Sequence, residues 1–63
     1  MQTKTLAELV KENIDEAIAN GYDLTGYTDE ELAGDLIAYA IDLQDEDYYE
    51  VTKAVKEWRQ HNA

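Results

Sequence analysis

The chain has 63 residues and a formal net charge of −10, from five Lys and Arg against fifteen Asp and Glu. It contains no Cys, which excludes disulfide bonds and thiolate chemistry. The negative charge disfavours direct binding to nucleic acid or to an anionic membrane, because both carry charge of the same sign. With no Pro and three Gly, the composition favours helices joined by short turns.

The first predicted element is a helix over about residues 5–20. Thr5 and Glu8 have the spacing of a capping box, and Gly21 suits the left-handed position after a helix end. The first ten residues, MQTKTLAELV, lack a long apolar run, so we expect neither a signal peptide nor a transmembrane segment and predict an intracellular protein. The apolar face of this helix consists of Leu6, Leu9, Val10, Ile14, Ala17 and Ile18.

A loop over 21–28 follows, in which we expect Leu24 to close one end of the core. Thr28 and Glu31 form a second capping box, which starts a helix predicted over 29–43. The apolar residues of this helix spread over roughly 200° of its surface, a width typical of a helix between two neighbours. These residues are Leu32, Ala33, Leu36, Ile37, Tyr39, Ala40, Ile41 and Leu43. We therefore predict an all-α, small three-helix bundle with helix 2 at its centre.

The third helix is predicted over 47–61, with Asp45 or Asp47 as its N-terminal cap. Its later turns carry Lys53, Lys56 and Arg59. Cations at a helix C-terminus interact favourably with the helix dipole, so this placement supports the predicted helix. Its apolar stripe consists of Tyr48, Val51, Ala54, Val55 and Trp58. Three aromatic residues on apolar stripes are expected in the core with polar tips outward: Tyr39, Tyr48 and Trp58. The whole chain, 1–63, is predicted to be a single helical domain.

The sequence offers little for catalysis or metal binding. His61 is the only histidine, and without Ser or Cys the chain lacks the usual nucleophile–base pairs. The segment DEDYYE, 45–50, begins like a calcium loop. It places Glu50 where the loop requires Gly and Lys56 where it requires Glu. We predict no enzyme activity, no cofactor and no metal.

The acidic residues are unevenly distributed. Between Glu12 and Thr52 there are thirteen of the fifteen acids and no base. The first acids of helix 2 serve the helix dipole. Asp35 and Asp42 do not, and with Glu31 they are predicted to form a row along the polar strip of helix 2. Because a row of like charges costs stability, we interpret it as a binding surface. The predicted partner-binding residues are Glu31, Asp35, Asp42, Asp45, Glu46, Asp47, Tyr49 and Glu50.

In size, helicity and acid distribution, the chain resembles small acidic phage-encoded inhibitors, including DNA-mimic and anti-CRISPR proteins. The segment that carries the resemblance is TDEELAGDLIAYAIDLQDEDYYE, 28–50, and no site residues are transferred from it. The resemblance implies a host target with a basic nucleic-acid-binding surface, such as a CRISPR effector or a restriction enzyme, and a location in the host cytoplasm. We expect a non-enzymatic inhibitor that blocks nucleic-acid access by charge mimicry and does not itself bind nucleic acid or membrane.

Two other classes of function remain open. One is an antitoxin-like or regulatory module whose acidic face covers a basic toxin or transcription factor. The other is a homo-oligomeric structural domain, for example a homodimer, in which Ile37 and Ile41 pack against a second copy. If the chain is a monomer instead, the loop YDLTGY, 22–27, is expected to cover Ile41.

Overall fold

A computed structural model describes residues 4–61. It contains three α-helices, α1 (Leu6–Ala19), α2 (Asp29–Tyr39) and α3 (Tyr48–His61), and one 3₁₀ turn at Ile41–Leu43 between α2 and α3. No strand occurs in this range. The prediction of a small all-α, three-helix fold is confirmed. Among the described helices, none combines the length and apolar content needed to span a bilayer.

Both predicted capping boxes are present, at the starts of α1 and α2. The Thr5 hydroxyl accepts a hydrogen bond of 3.2 Å from the N–H of Glu8, whose carboxylate accepts one of 3.1 Å from the N–H of Thr5. Thr28 and Glu31 form the same pair of bonds at 3.1 and 2.9 Å. Each box satisfies backbone amides that have no partner inside the helix. A threonine cap contributes about 1 kcal/mol.

The C-terminus of α1 forms a Schellman motif around Gly21. The N–H of Gly21 donates to the carbonyl of Ile18 at 3.0 Å, and the N–H of Tyr22 donates to the carbonyl of Ala17 at 3.1 Å. Gly21 has a φ of 94°, which a residue with a Cβ adopts only at a steric cost. The predicted role of this glycine is therefore confirmed.

Helix α2 ends earlier than predicted. Its last residue is Tyr39, and Ala40 takes an extended conformation with φ −91° and ψ 116°. The prediction of one helix over 29–43 is therefore wrong in its last turn. The 3₁₀ turn that follows contacts α1 as well as α2. It buries Leu43 completely and leaves Ile41 84% exposed, so the loop does not cover Ile41.

The core is formed by apolar side chains from all three helices and the 3₁₀ turn. Its ten buried members are Leu9, Val10, Ile14, Leu32, Ala33, Leu36, Leu43, Val51, Ala54 and Val55. Five partly buried residues pack against it: Leu6, Leu24, Ile37, Ala40 and Trp58. Leu24 thus contacts the core from the loop, as expected. Ile37 also belongs to this layer, so it is not part of an exposed apolar patch.

The central helix is α3, so the prediction that helix 2 is central is wrong. Helix α3 packs equally against α1 and α2, whereas α1 and α2 hardly approach each other. At 100° per residue, the buried face of α2 spans roughly 100° and that of α3 roughly 160°. The width of α3 depends on Thr52, a buried polar residue whose hydroxyl donates to the carbonyl of Tyr48 at 2.8 Å. Because Thr52 is polar, the apolar pattern does not reveal this width.

The aromatic residues on the apolar stripes differ from their predicted placement. Tyr39 is 83% exposed, so its assignment to the core is wrong. Tyr48 is half-exposed, and its hydroxyl donates to the carbonyl of Glu30 at 3.0 Å. Trp58 is half-buried against the core. Of the three, Trp58 comes nearest to the expected role.

Arg59 of α3 forms hydrogen bonds with the loop before α2 and with the first residue of α2. Its guanidinium donates to the carboxylate of Asp29 at 2.7 Å and to the backbone carbonyls of Tyr27 and, at 3.4 Å, Leu24. Both charged side chains of the ion pair are largely shielded from solvent. The sequence pattern assigned Arg59 only to the helix dipole, and this second role depends on tertiary structure.

Candidate protein-binding surface

Acidic side chains dominate the charged surface. All fifteen lie within residues 4–61, and fourteen of them are exposed. The exception is Asp29, which is half-buried and paired with Arg59. Where an exposed acid stabilises the fold, that contribution is enough to explain its presence in the sequence. Acids that make no such contribution are therefore the better candidates for binding a partner.

Two predicted binding residues cap helices. The pKa of Glu31 lies below its ordinary value of 4.5 because its carboxylate accepts hydrogen bonds from Thr28. The larger cause is the bond from the backbone N–H, and the smaller is the bond from the hydroxyl. Asp47 caps α3, because its Oδ1 accepts from the N–H of Tyr49 at 2.8 Å and of Glu50 at 3.2 Å. The positions of Glu31 and Asp47 are therefore explained by the fold without a partner.

A base lies beside Tyr49 and Glu50. The Nζ atom of Lys53 is 3.9 Å from Oε2 of Glu50 and 5.8 Å from the centroid of the Tyr49 ring. The ion pair is exposed, so it contributes little to stability. Tyr49 is 68% exposed and remains accessible to a partner.

Asp42 does not continue a row of acids along α2. It belongs to the 3₁₀ turn, which is out of helical register with Asp35, so the predicted row is wrong in its last member. Asp42 lies close enough to Lys4 to contribute to the raised pKa of that amine. The largest cause of this rise is the 2.7 Å hydrogen bond from Lys4 to Glu12.

Seven carboxylates accept no hydrogen bond and form no ion pair within residues 4–61. Four are predicted binding residues: Asp35, Asp42, Asp45 and Glu46. The others are Glu16, Glu30 and Glu57. Three of the seven, Asp42, Asp45 and Glu46, lie close together in sequence between α2 and α3, and we refer to these three as the acidic turn. Apart from Asp35, the acidic turn contains every predicted binding residue whose carboxylate has no hydrogen bond or ion pair within residues 4–61.

A groove runs between α1 and α2. Its volume is about 690 Å³, its floor includes Leu36, and its rim includes Tyr22, Tyr27 and Tyr39. Two acids also line it, Glu16 from α1 and Asp35 from α2. We refer to this feature, with these six residues, as the α1–α2 groove. Of the predicted binding residues, only Asp35 lies in it.

The α1–α2 groove cannot be recognised from the apolar pattern of the sequence. Its existence depends on α3, rather than α2, being the helix that contacts both others. The tyrosines at the two sides of the loop, Tyr22 and Tyr27, were the only signal for it in the sequence. Tyr39 was instead expected in the core.

The described residues offer no evident metal centre. Within residues 4–61, no three His, Asp or Glu side chains converge in a way that could hold a metal ion. His61 is exposed at the last turn of α3. The chemistry on this surface is therefore that of carboxylates and phenols, which form ion pairs, hydrogen bonds and aromatic contacts.

Comparison with known proteins finds no matching family model, no similar curated protein and no similar solved structure.

Proposed function

We propose that the chain is a non-enzymatic inhibitor that binds a basic, nucleic-acid-binding surface of a host protein and blocks nucleic-acid access by charge mimicry. The observation that carries the proposal is the set of seven carboxylates without a hydrogen bond or ion pair in the described range. These exposed charges repel one another, and a basic partner would compensate them. The proposal places the chain in the host cytoplasm.

The charge density supports an imitation of one nucleic-acid strand. The described residues extend over 32 × 23 × 22 Å and include every charged side chain of the chain. Along 32 Å, a duplex carries about 19 phosphate charges and a single strand about 9. The net charge of −10 therefore matches that of a single strand over the same length.

The test starts with affinity capture from host lysate and identification of the retained protein. The purified partner is then titrated with the chain in the presence of duplex and of single-stranded nucleic acid. We expect mutual exclusion, strongest with single strands, and binding that weakens as salt rises. If the partner binds nucleic acid and the chain together without interference, mimicry is wrong, and an antitoxin-like or regulatory module becomes the better interpretation.

The acidic turn is the part of the surface to alter. Neutralising Asp42, Asp45 and Glu46 together to Asn, Asn and Gln should slow association and make the salt dependence shallower. A matched control carries the same charge change elsewhere, on Glu12, Asp15 and Glu57. These acids lie on α1 and α3, where they make only exposed ion pairs or none. Equal losses in both triple variants would mean that net charge, rather than the acidic turn, determines binding.

A homodimer is a separate candidate, favoured by the exposure of Ile41. It predicts a dimer by sedimentation at micromolar concentration and a monomer after Ile41→Lys. Because each copy carries −10, such a dimer should strengthen as salt rises, whereas binding to a basic partner should weaken. A monomer at every salt concentration would remove this candidate.

A further inference from the structure

The α1–α2 groove is a concave surface that the fold itself leaves unfilled. It exists because α1 and α2 both pack on α3 and hardly on each other. Its floor reaches Leu36 of the core, and its volume of about 690 Å³ can hold several side chains but not a whole helix. A partner would therefore contribute a stripe of side chains and remain outside.

Exposed aromatic side chains stand at the rim of the groove. Tyr39 is 83% exposed and Tyr22 is 66% exposed, and Tyr27 is more sheltered. Tyrosine is enriched at protein interfaces, where it combines a large apolar ring with a polar tip. The apolar floor and the tyrosine rim thus favour a partner that presents apolar side chains.

The charges of the groove indicate the charge of its partner. Glu16 and Asp35 line it and have no hydrogen bond or ion pair within residues 4–61, and no Lys or Arg lines it. This disfavours phosphate-containing ligands. It also disfavours a second copy of the chain, because each copy carries −10. Charge complementarity requires a cationic occupant.

We propose that the α1–α2 groove binds an amphipathic, cationic helix of a partner protein. The apolar stripe of that helix packs on Leu36 between the tyrosines, and its flanking Lys or Arg side chains pair with Glu16 and Asp35. A helix suits the groove because it gives α1 and α2 a second shared neighbour in addition to α3. A segment that binds as an added β-strand would need a sheet edge, and residues 4–61 contain no strand. The inference rests on the proposed function for the basic character of the partner.

The direct test uses a synthetic peptide as the probe. It is a Leu/Lys peptide of about 18 residues with Leu at helical spacing, titrated into the isotope-labelled full chain and followed by amide chemical shifts. We expect saturable shifts centred on Tyr22, Tyr27, Tyr39 and their neighbours. A second peptide with Gln in place of Leu keeps the charge but lacks the apolar stripe, and it should bind at least about tenfold more weakly. Equal affinity for both peptides, shifts centred on the acidic turn, or no saturable binding would each overturn the proposal.

Variants of the chain locate the contact. Tyr39→Ala should weaken the Leu/Lys peptide by about fivefold or more, since an aromatic anchor at an interface contributes about 1 kcal/mol or more. Tyr49→Ala removes a ring outside the groove that is also mostly exposed, 68% against 83% for Tyr39, and should change affinity by less than about twofold. Both tyrosines are mostly exposed, so thermal unfolding should confirm an intact fold in each variant. A larger loss with Tyr49→Ala than with Tyr39→Ala would contradict the assignment.

Charge variants separate the groove from the acidic turn. Glu16→Gln with Asp35→Asn should weaken the Leu/Lys peptide several-fold and flatten its salt dependence. Asp45→Asn with Glu46→Gln makes the same charge change on residues that do not line the groove, and it should have the smaller effect. The reverse order of effects would overturn the groove proposal. The competition assay with the captured partner depends on the acidic turn, so either proposal can fail without the other.

Discussion

Arg59 shows how a single side chain fixes the loop before α2. Its ion pair with Asp29 is the least exposed of the four within residues 4–61. The same guanidinium also satisfies backbone carbonyls of the loop, at Leu24 and Tyr27. A planar fork with several donors can bind these three acceptors at once, whereas an ammonium group cannot do so in the same geometry. The loop should therefore depend on arginine itself and not only on positive charge.

We expect Arg59→Lys to lower the free energy of unfolding by about 1–3 kcal/mol, because backbone carbonyls lose their donors and Asp29 loses its fitted partner. Urea unfolding followed by circular dichroism measures the change. The reciprocal variant, Lys56→Arg, lies on the exposed side of α3 and should have an effect below about 0.5 kcal/mol. An Arg59→Lys variant as stable as the wild type would show that the loop does not need the fork.

Because of Glu31, the free energy of unfolding should depend on pH in the acid range. Its pKa in the folded chain is below the ordinary 4.5 because of the hydrogen bonds from Thr28. The folded state thus holds this proton less tightly than the unfolded state. Its contribution is present above about pH 4.5 and is lost as the pH falls through the lower, folded pKa.

In Glu31→Gln, the amide oxygen can accept the same hydrogen bonds without titrating. We expect this variant to lose less stability than the wild type between about pH 5 and pH 3 in thermal unfolding. Glu30→Gln is the matched control, because the Glu30 side chain has no hydrogen bond or ion pair in the described range. Parallel pH profiles for the wild type and Glu31→Gln would contradict the role of the capping box.

The starts of the helices could be predicted from sequence, and the arrangement of the helices could not. A capping box is local, so Thr28 and Glu31 reveal it without knowledge of the fold. The break at Ala40 has no local signal such as Gly or Pro. It depends on the contact of the 3₁₀ turn with α1, through which Leu43 enters the core. The burial of Thr52 also has no signal in the apolar pattern, because its side chain is polar. Its hydroxyl is satisfied in the folded chain by a hydrogen bond to the carbonyl of Tyr48.

In the candidate site, too, local features could be predicted from sequence and tertiary contacts could not. That the acids are exposed could be predicted from their chemistry, and fourteen of fifteen are. Which acids have partners could not, because the pairing of Asp29 with Arg59 joins residues that are thirty positions apart. The row through Asp42 failed because it assumed an unbroken helix. The α1–α2 groove required knowledge of which helix lies between the others.

Gly34 offers a test of α2 itself. It lies in the middle of the helix, where glycine costs about 0.5–1 kcal/mol relative to alanine. A Cβ placed there would lie 3.9 Å from Cε1 of Tyr48, an ordinary van der Waals contact. We therefore expect Gly34→Ala to stabilise the chain by about 0.5–1 kcal/mol in urea unfolding. The matched variant Gly21→Ala should destabilise it by about 1 kcal/mol, since its φ is 94°. Destabilisation by Gly34→Ala would indicate tighter packing of α2 on α3.

The net charge of the chain opposes the compact state. At about 0.01 M salt the Debye length is about 30 Å, close to the longest dimension of 32 Å, so nearly all the charges repel one another. At about 0.1 M it is about 10 Å, and only neighbouring charges interact. We expect the melting temperature to rise over this range. Neutralising Asp42, Asp45 and Glu46 changes the net charge from −10 to −7. The rise in melting temperature should therefore be smaller in this variant. A melting temperature that falls with salt would mean that ion pairs outweigh the repulsion.

The central position of α3 also has a consequence for synthesis on the ribosome. Helix α1 ends at Ala19 and α3 at His61. At about 5–20 residues per second, α1 waits about 2–8 s for the helix it packs on. A helix of 14 residues is marginal on its own in water, so α1 stays largely unformed during this time. Because α2 also packs mainly on α3, we expect the three helices to become stable together once α3 has been made.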